Sequence, residues 1–213
     1  MSIPPTLSSY RTISGPVHVE TVEKKSRFLC ALFPVTAEAE ISRYLADIRR
    51  EHWEANHHCS AFRLRDMTER ASDDGEPSGT AGRPMLSVLQ KSQVTDILAV
   101  VTRYFGGTLL GAGGLVRAYS HAVATALSKA KIVDYIPYDR FVFPVSYADY
   151  ERSVRLFDRI GWELTAEFLE AVHLTLAAPS SDRTVIIGLV ADLTRSQDYA
   201  EPVETVLHPR VGT

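Results

Sequence analysis

The sequence predicts an α+β protein of two domains, residues 1–136 and 137–213. Three observations carry this. The run Ile97 to Val101 is apolar throughout and rich in β-branched residues, the pattern of a strand buried on both faces at the centre of a sheet. A glycine-rich loop and then a helical period follow it, which is the ordering of a sheet covered by helices. From Ile132 to Tyr135 a fresh β-rich pattern begins, and it runs on as a second βαββαβ series. A length of 213 residues leaves room for two such cores.

In chain order, the first dozen residues read as loose. Val17, Val19 and Thr21 alternate with polar neighbours, and Phe28 to Phe33 is apolar, so two strands are expected, joined by the basic bend Glu23 to Arg27. Thr36 is placed as the N-cap of a helix reaching about Glu51, with Ile41, Leu45 and Ile48 inward. Ala55, His57, Cys59 and Ala61 then alternate with Asn56, His58, Ser60 and Phe62, which gives a strand with two different faces. Arg70 to Arg83, rich in Asp, Gly, Ser and Pro, reads as a long loop, and Pro84 as the start of a short helix through Lys91. After the central strand, a helix is expected from Leu115, burying Leu115, Tyr119, Ala122 and Ala126 and leaving Arg117 and His121 on the other face.

In the second half, strands are expected at Phe141 to Tyr147, Trp162 to Phe168, Ala171 to Leu176 and Glu204 to Leu207. Helices are expected at Asp149 to Ile160, with Val154, Phe157 and Ile160 inward, and from Asp182 to about Leu193. Asp182 reads as a helix cap, and the domain boundary falls near Tyr135 to Arg140.

Charge separates the halves. Residues 1–136 carry 16 Lys+Arg against 14 Asp+Glu, and residues 137–213 carry 7 against 12, so a polyanion is expected to meet the first half. Two cysteines make no disulfide framework, and the opening MSIPPTLSSYRTISG has neither a basic lead nor an apolar core, so a cytoplasmic setting is expected. No apolar run approaches the roughly 20 residues that span a bilayer, and no membrane association is expected.

The candidate site gathers at the end of the central strand. Five glycines in the nine positions Gly106 to Gly114 let the backbone bend sharply or approach a ligand. A strand, such a loop and a helix N-terminus converge on an anion, with Arg103 and Arg117 expected to bracket it and to lie exposed. The anion-binding set is Arg103, Tyr104, Phe105, Gly106, Gly107, Gly111, Gly113, Gly114, Arg117 and His121. One ring of the Tyr104–Phe105 pair is placed for stacking on a base and the other for the core. His57, Asp73, Asp74, Glu76, Ser78 and Arg83 form the expected wall, supplied by an acidic loop lying over the glycine-rich one.

The three carboxylates Asp73, Asp74 and Glu76 are weighed as a cation site and assigned instead to pairing with the arginines, since the loop lacks a fixed ligand pattern. His57, His58 and Cys59 do not stand at zinc-finger spacing, and Cys59 reads as a core residue in place of a nucleophile. No metal and no cofactor are expected.

Three stretches together resemble the bacterial YigZ-like branch of the IMPACT family: His57-x-Cys59-x-Ala61, SDDGEPSGTAGRPML from Ser72 to Leu86, and VVTRYFGGTLLGAGGLVRAY from Val100 to Tyr119. The resemblance implies a first domain built like the second domain of a small-subunit ribosomal protein, an α/β sandwich also used by elongation factor G. It implies a ferredoxin-like second domain similar to the C-terminal domain of that factor. Eukaryotic members are implicated in translational control under stress, through competition for an activator of an initiation-factor kinase, and no defined enzymatic activity attaches to bacterial members. Their additional N-terminal domain has no counterpart in this sequence, so their partner interactions are not carried over. The expected function is non-enzymatic regulation of translation by binding RNA, the ribosome or a translation factor. The alternative is a phosphate- or nucleotide-binding protein, including a cation-assisted enzyme. The sequence leaves the oligomeric state open.

Overall fold

The strand β6, Ile97–Tyr104, divides two apolar layers in the computed structural model, which describes residues 7–196, 198–199 and 201–211. Its alternation sends Leu98 and Val100 into one layer and Ile97, Ala99 and Val101 into the other, and all five are fully buried. Around it the first compact unit, Tyr10–Asp134, adds β1 (Tyr10–Ile13), β2 (Val17–Glu23), β3 (Ser26–Pro34), α1 (Glu38–Glu51), β4 (His57–Arg63), β5 (Glu69–Ser72), α2 (Gly82–Lys91) and α3 (Ala112–Lys129). The sheet order is β2-β3-β6-β4-β5, with antiparallel neighbours throughout.

Helix α1 packs on one face through Ile41 and Ile48, beside Phe33, Phe62 and Leu98. The other face takes α2 through Met85 and Leu89, and α3 through Leu115, Tyr119, Ala122, Val123 and Ala126. Between β2 and β3 the expected basic bend is a two-residue turn, Lys24 and Lys25, both left-handed at φ 45° and 68°.

Several element edges differ from the sequence reading, each for a local reason. Tyr10–Ile13 is a strand, not loose chain. The first turn of α1 is capped from inside: the Glu40 carboxylate accepts from Thr36 N–H at 2.7 Å and from Ala37 N–H at 3.3 Å, making Ala37 the N-cap in place of Thr36. Helix α2 begins at Gly82, two residues ahead of Pro84, because a carboxylate upstream takes its free N–H groups. Helix α3 likewise starts three residues ahead of Leu115.

The second unit, Tyr135–Arg210, continues from β7 (Ile132–Val145) with α4 (Tyr147–Ile160), β8 (Glu163–Phe168), β9 (Val172–Pro179), a 3-10 turn at Ser180–Asp182, α5 (Arg183–Thr194) and β10 (Glu204–Val211). The change of unit falls inside β7, which is one strand from Ile132 instead of starting at Phe141. Its neighbours place the strands as β10-β7-β9-β8, the ferredoxin-like order, while β1 pairs with β7 as well. Strand β9 alternates buried and half-buried residues, so one face is packed and the other is not. The packed face meets Phe157 of α4 and Ile186 and Val190 of α5, together with Phe141, Phe143, Leu174 and Leu176. Ile160, expected inward, is exposed, because the helix ends there at the left-handed Gly161. Asp182 is the N-cap of α5 but makes no side-chain capping bond.

The architecture is α+β with two sheets and five α-helices among the described residues. Among these residues no helix is long and apolar enough to cross a membrane.

Candidate functional site

The register of the first sheet sets Arg103 of β6 between Phe28 of β3 and His57 of β4. There it is buried, with a side chain 7% exposed, where an exposed cation was expected. Its Nη1 donates to Glu76 Oε1 at 2.6 Å and its Nη2 to Ser26 Oγ at 3.4 Å. Among the described residues Nε finds no acceptor, and the guanidinium lies 5.5 Å from the Phe28 ring centroid and 5.6 Å from that of Phe105.

Glu76, from the acidic loop, is 3% exposed and also accepts from Tyr119 Oη of α3 at 2.7 Å. The Cys59 thiol lies 3.0 Å from Asp73 O and 3.3 Å from Tyr119 Oη. His57 Nδ1 is 2.9 Å from Asp74 O, and since a carbonyl only accepts, that nitrogen carries the proton and donates. The other ring nitrogen stands 3.9 Å from Glu76 Oε2.

This cluster is closed chemically as well as sterically. Burial first, then the nearby carboxylates, push the Cys59 thiol up to about 12, so it stays protonated and is no nucleophile at neutral pH. Burial and the neighbouring Cys59 and Glu76 raise the Tyr119 hydroxyl far above an ordinary phenol. The arrangement latches the loop to β4, β6 and α3. Breaking one partner of such a buried pair costs about 3–5 kcal/mol.

The other loop carboxylates are structural too. Asp73 accepts from the N–H groups of Gly79 (2.8 Å), Ala81 (3.0 Å) and Gly82 (2.8 Å), which serves the free end of α2. Burial works against its charge, yet these three bonds win and hold it below the usual carboxylate range. Asp74 accepts from His58 N–H at 2.7 Å and from Arg49 Nη2 at 3.0 Å. Asp73 and Asp74 therefore do not face Arg103 and Arg117 as expected. Among the described residues no group of three His, Cys, Asp or Glu side chains is arranged to hold a metal ion. Ser78 and Arg83 of the expected wall are exposed.

The glycine-rich loop leaves β6 under tight control. Phe105 N–H donates to Asn56 Oδ1 at 2.8 Å and Gly106 N–H to Ser26 Oγ at 3.1 Å. A Cβ on Gly106 would stand 2.0 Å from the Lys25 carbonyl carbon, so only glycine lets the loop lie against the β2–β3 turn. Gly107 and Gly111 take left-handed φ values of 79° and 74°. Gly114 lies against Leu110, and a Cβ added to Gly113 would stand 3.7 Å from Arg117 Nη1.

Beyond the loop, Arg117 and His121 line an open groove of about 320 Å³ with Leu110, Gly114 and Ala118 of the loop and α3, and Thr21, Val22, Glu23 and Lys24 of β2 and its turn. Arg103 and Arg117 thus do not bracket one site. The first is a buried tie and the second lines a groove. Of the adjacent rings, Tyr104 is half-buried with Oη 3.0 Å from His52 Nδ1, and Phe105 is 46% exposed.

Sequence reasoning missed Ser26, Asn56 and the β2 side of the groove, which only the sheet order brings in. Tyr119 reads simply as core in the sequence. Its hydroxyl on a face of small and aliphatic residues was the available signal, because a buried phenol needs a partner.

The family model described as the Impact N-terminal domain matches residues 24–127. IMPACT family member YvyE of Bacillus subtilis is 48% identical over 130 residues, 60% of this chain and 60% of that protein. IMPACT family member YigZ of Escherichia coli is 34% identical over 194 residues, 89% of this chain and 95% of that one. A solved structure described as a hypothetical protein aligns with TM-score 0.60 and 31% identity, covering 97% of this chain and 98% of the other. With the Escherichia coli relative matched over 95% of its length at 34% identity, and a family model spanning the acidic loop and glycine-rich segment that build the latch, the chain belongs to the IMPACT family.

Proposed function

We propose that this chain is a non-enzymatic regulator associated with translation, and that it binds structured RNA of the translation machinery along the groove at the start of α3. One observation carries the proposal: Lys24 and Arg117 line an open groove, and among the described residues neither has a carboxylate within ion-pair distance. Phosphates recruit cations that are not already paired, and an exposed ring such as Phe105 offers a stacking surface nearby. Absence of an acidic residue from the first turn of α3 leaves its N-terminal N–H groups available in the same region. The regulatory role is supported by the family resemblance, whose eukaryotic members are implicated in translational control. A cytoplasmic setting agrees with two buried, unpaired cysteines. The non-enzymatic reading is supported by Cys59, Glu76, Arg103 and Tyr119 being committed to one another.

Filter binding of a structured RNA over a range of salt concentrations tests this. Replacing Lys24 and Arg117 together by Ala is expected to weaken binding and to lower the salt slope by about 2, near 0.9 for each phosphate no longer neutralised. An unchanged slope overturns the site. Thermal-shift measurements with nucleotides and Mg²⁺ address the small-ligand alternative, which requires a nucleotide to raise the melting temperature of the wild type but not of the double variant.

A further inference from the structure

The second unit exposes an aromatic surface that its core does not use. Tyr147 is 58% exposed, Phe168 55% and Leu169 55%. The Phe168 ring meets Tyr150 edge-on at 5.1 Å and lies 6.3 Å from Tyr147. Tyr147 Oη donates to Leu169 O at 2.8 Å, and Leu169 N–H to Ala171 O at 3.0 Å. The Tyr147 bond ties the β8–β9 turn to the first turn of α4, so Tyr147, Phe168 and Leu169 form one solvent-facing patch, braced from below by the half-buried Tyr150, which packs on the core. Contiguous exposed apolar groups of this kind mark interaction sites.

The charge around the patch is mainly acidic, and the nearest helix cation is already paired. Glu170 follows Leu169 in the turn and is exposed, and Asp149 stands in the first turn of α4, while Glu167 alternates onto the other face of β8 opposite His173. At 3.6 residues per turn, Glu151 lies about 40° around the helix from Tyr147, whereas Arg152 lies about 140° away. Arg155 is held by Glu151 at 3.3 Å. Residues 137–213 as a whole carry 7 Lys+Arg against 12 Asp+Glu. Strand β8, which ends in the patch, pairs only with β9 among the described residues and so is a sheet edge.

We propose that this face binds an extended, arginine-bearing segment of a partner protein. Guanidinium groups stack on the exposed faces of Phe168 and Tyr147, where aromatic quadrupoles attract cations, and Glu170 takes their charge through hydrogen bonds. The unpaired edge of β8 supplies backbone partners to a chain running alongside it. RNA is disfavoured by the same carboxylates, which repel phosphate.

The test uses the full chain and a short fluorescent peptide of alternating arginine and valine, followed by anisotropy. Phe168→Ser is expected to weaken binding about threefold, in line with a cation over an exposed ring, and Glu170→Gln about tenfold, in line with a charge-assisted bond. A lysine-for-arginine peptide is expected to bind more weakly than the arginine one, since ammonium groups do not stack as planes. Circular dichroism checks that each variant folds. Amide shifts of β8 and the Leu169–Ala171 turn in the titrated wild-type protein give a readout that needs no variant. Equal affinity of wild type and Phe168→Ser, peptide-induced shifts confined to other elements, or an RNA oligonucleotide competing at this turn overturns the proposal.

Discussion

A carboxylate buried against an arginine ties elements together in each unit, Glu76 with Arg103 in the first and Asp139 with Arg183 in the second, and these two pairs are satisfied to different degrees. In the second unit Asp139 accepts from Arg183 Nε (2.6 Å) and Nη2 (2.7 Å), from Ser180 Oγ (2.8 Å) and from Thr205 Oγ1 (2.8 Å), which uses both oxygens. In the first, Glu76 Oε1 takes both Arg103 and Tyr119, while Oε2 faces His57 at 3.9 Å and Arg103 Nε has no acceptor among the described residues. The Arg183 side chain is 38% exposed and that of Arg103 is 7% exposed. The saturated pair ties β7, α5 and β10 into a core, and the under-satisfied one holds a loop in place. A buried pair that closes a loop leaves its cation nowhere to go when the loop lifts, so loop position and charge compensation are linked in the first unit alone.

The largest expected effect follows from that difference. Glu76→Ala strands a guanidinium that solvent cannot reach and is expected to destabilise the protein by about 3–5 kcal/mol in urea unfolding. Asp139→Ala removes a fully buried carboxylate but leaves Arg183 able to turn toward water, so about 2–3 kcal/mol is expected. The reverse order would show that burial of the cation does not set the ranking, and would break the comparison.

Next in size is Asp73→Ala, which removes the acceptor for three N–H groups at the start of α2 and is expected to cost about 1–2 kcal/mol, the range of a lost cap. The pH dependence has a definite sign. Asp73 and Asp139 both titrate below their ordinary value of 3.8 in the folded chain, so the fold binds fewer protons there than the unfolded chain does. Their contribution is full above the unfolded value and is lost as pH falls through the folded one. Unfolding measured from pH 5 downward is expected to be steeper for the wild type than for Asp73→Asn, and parallel curves would remove Asp73 from the account.

Much of the fold is legible in the sequence because its signals are local. The double-sided apolar run of β6, the alternation in β4 and the helical face Leu115, Tyr119, Ala122 and Ala126 each reflect burial that a few neighbouring residues encode. The candidate site is legible in membership and illegible in pairing. Arg103 and Glu76 stand 27 residues apart, and only the β4–β6 register and the path of the loop bring them together. A charged residue at a strand end carries no mark that says buried, so Arg103 reads as free. Asp73 and Asp74 read as partners of the arginines at the glycine-rich loop. The N–H groups that need Asp73 belong instead to a helix start that lies two residues ahead of where Pro84 suggests. Helix edges are set by caps, and here the cap comes from the far side of the loop.

The smallest expected effect separates the latch from any residual chemistry in it. Tyr119→Phe deletes one donor to Glu76 Oε1 but leaves Arg103 on the same oxygen, so the carboxylate keeps its charge partner. About 1 kcal/mol is expected, the net worth of one hydrogen bond, with the ring still packed edge-on against Phe28 at 5.2 Å. Cys59 then loses the hydroxyl at 3.3 Å while keeping Asp73 O at 3.0 Å and its burial. Its thiol is therefore expected to stay unreactive toward iodoacetamide at pH 8 in both proteins, as a group pushed up to about 12 must be. Stability should also fall as pH rises from the ordinary thiol value of 9 toward 12, because the fold keeps a proton that the unfolded chain releases. Rapid alkylation of Cys59 in the folded wild type would mean that the loop opens readily, and the first unit's pair would then be the looser of the two in motion as well as in bonding.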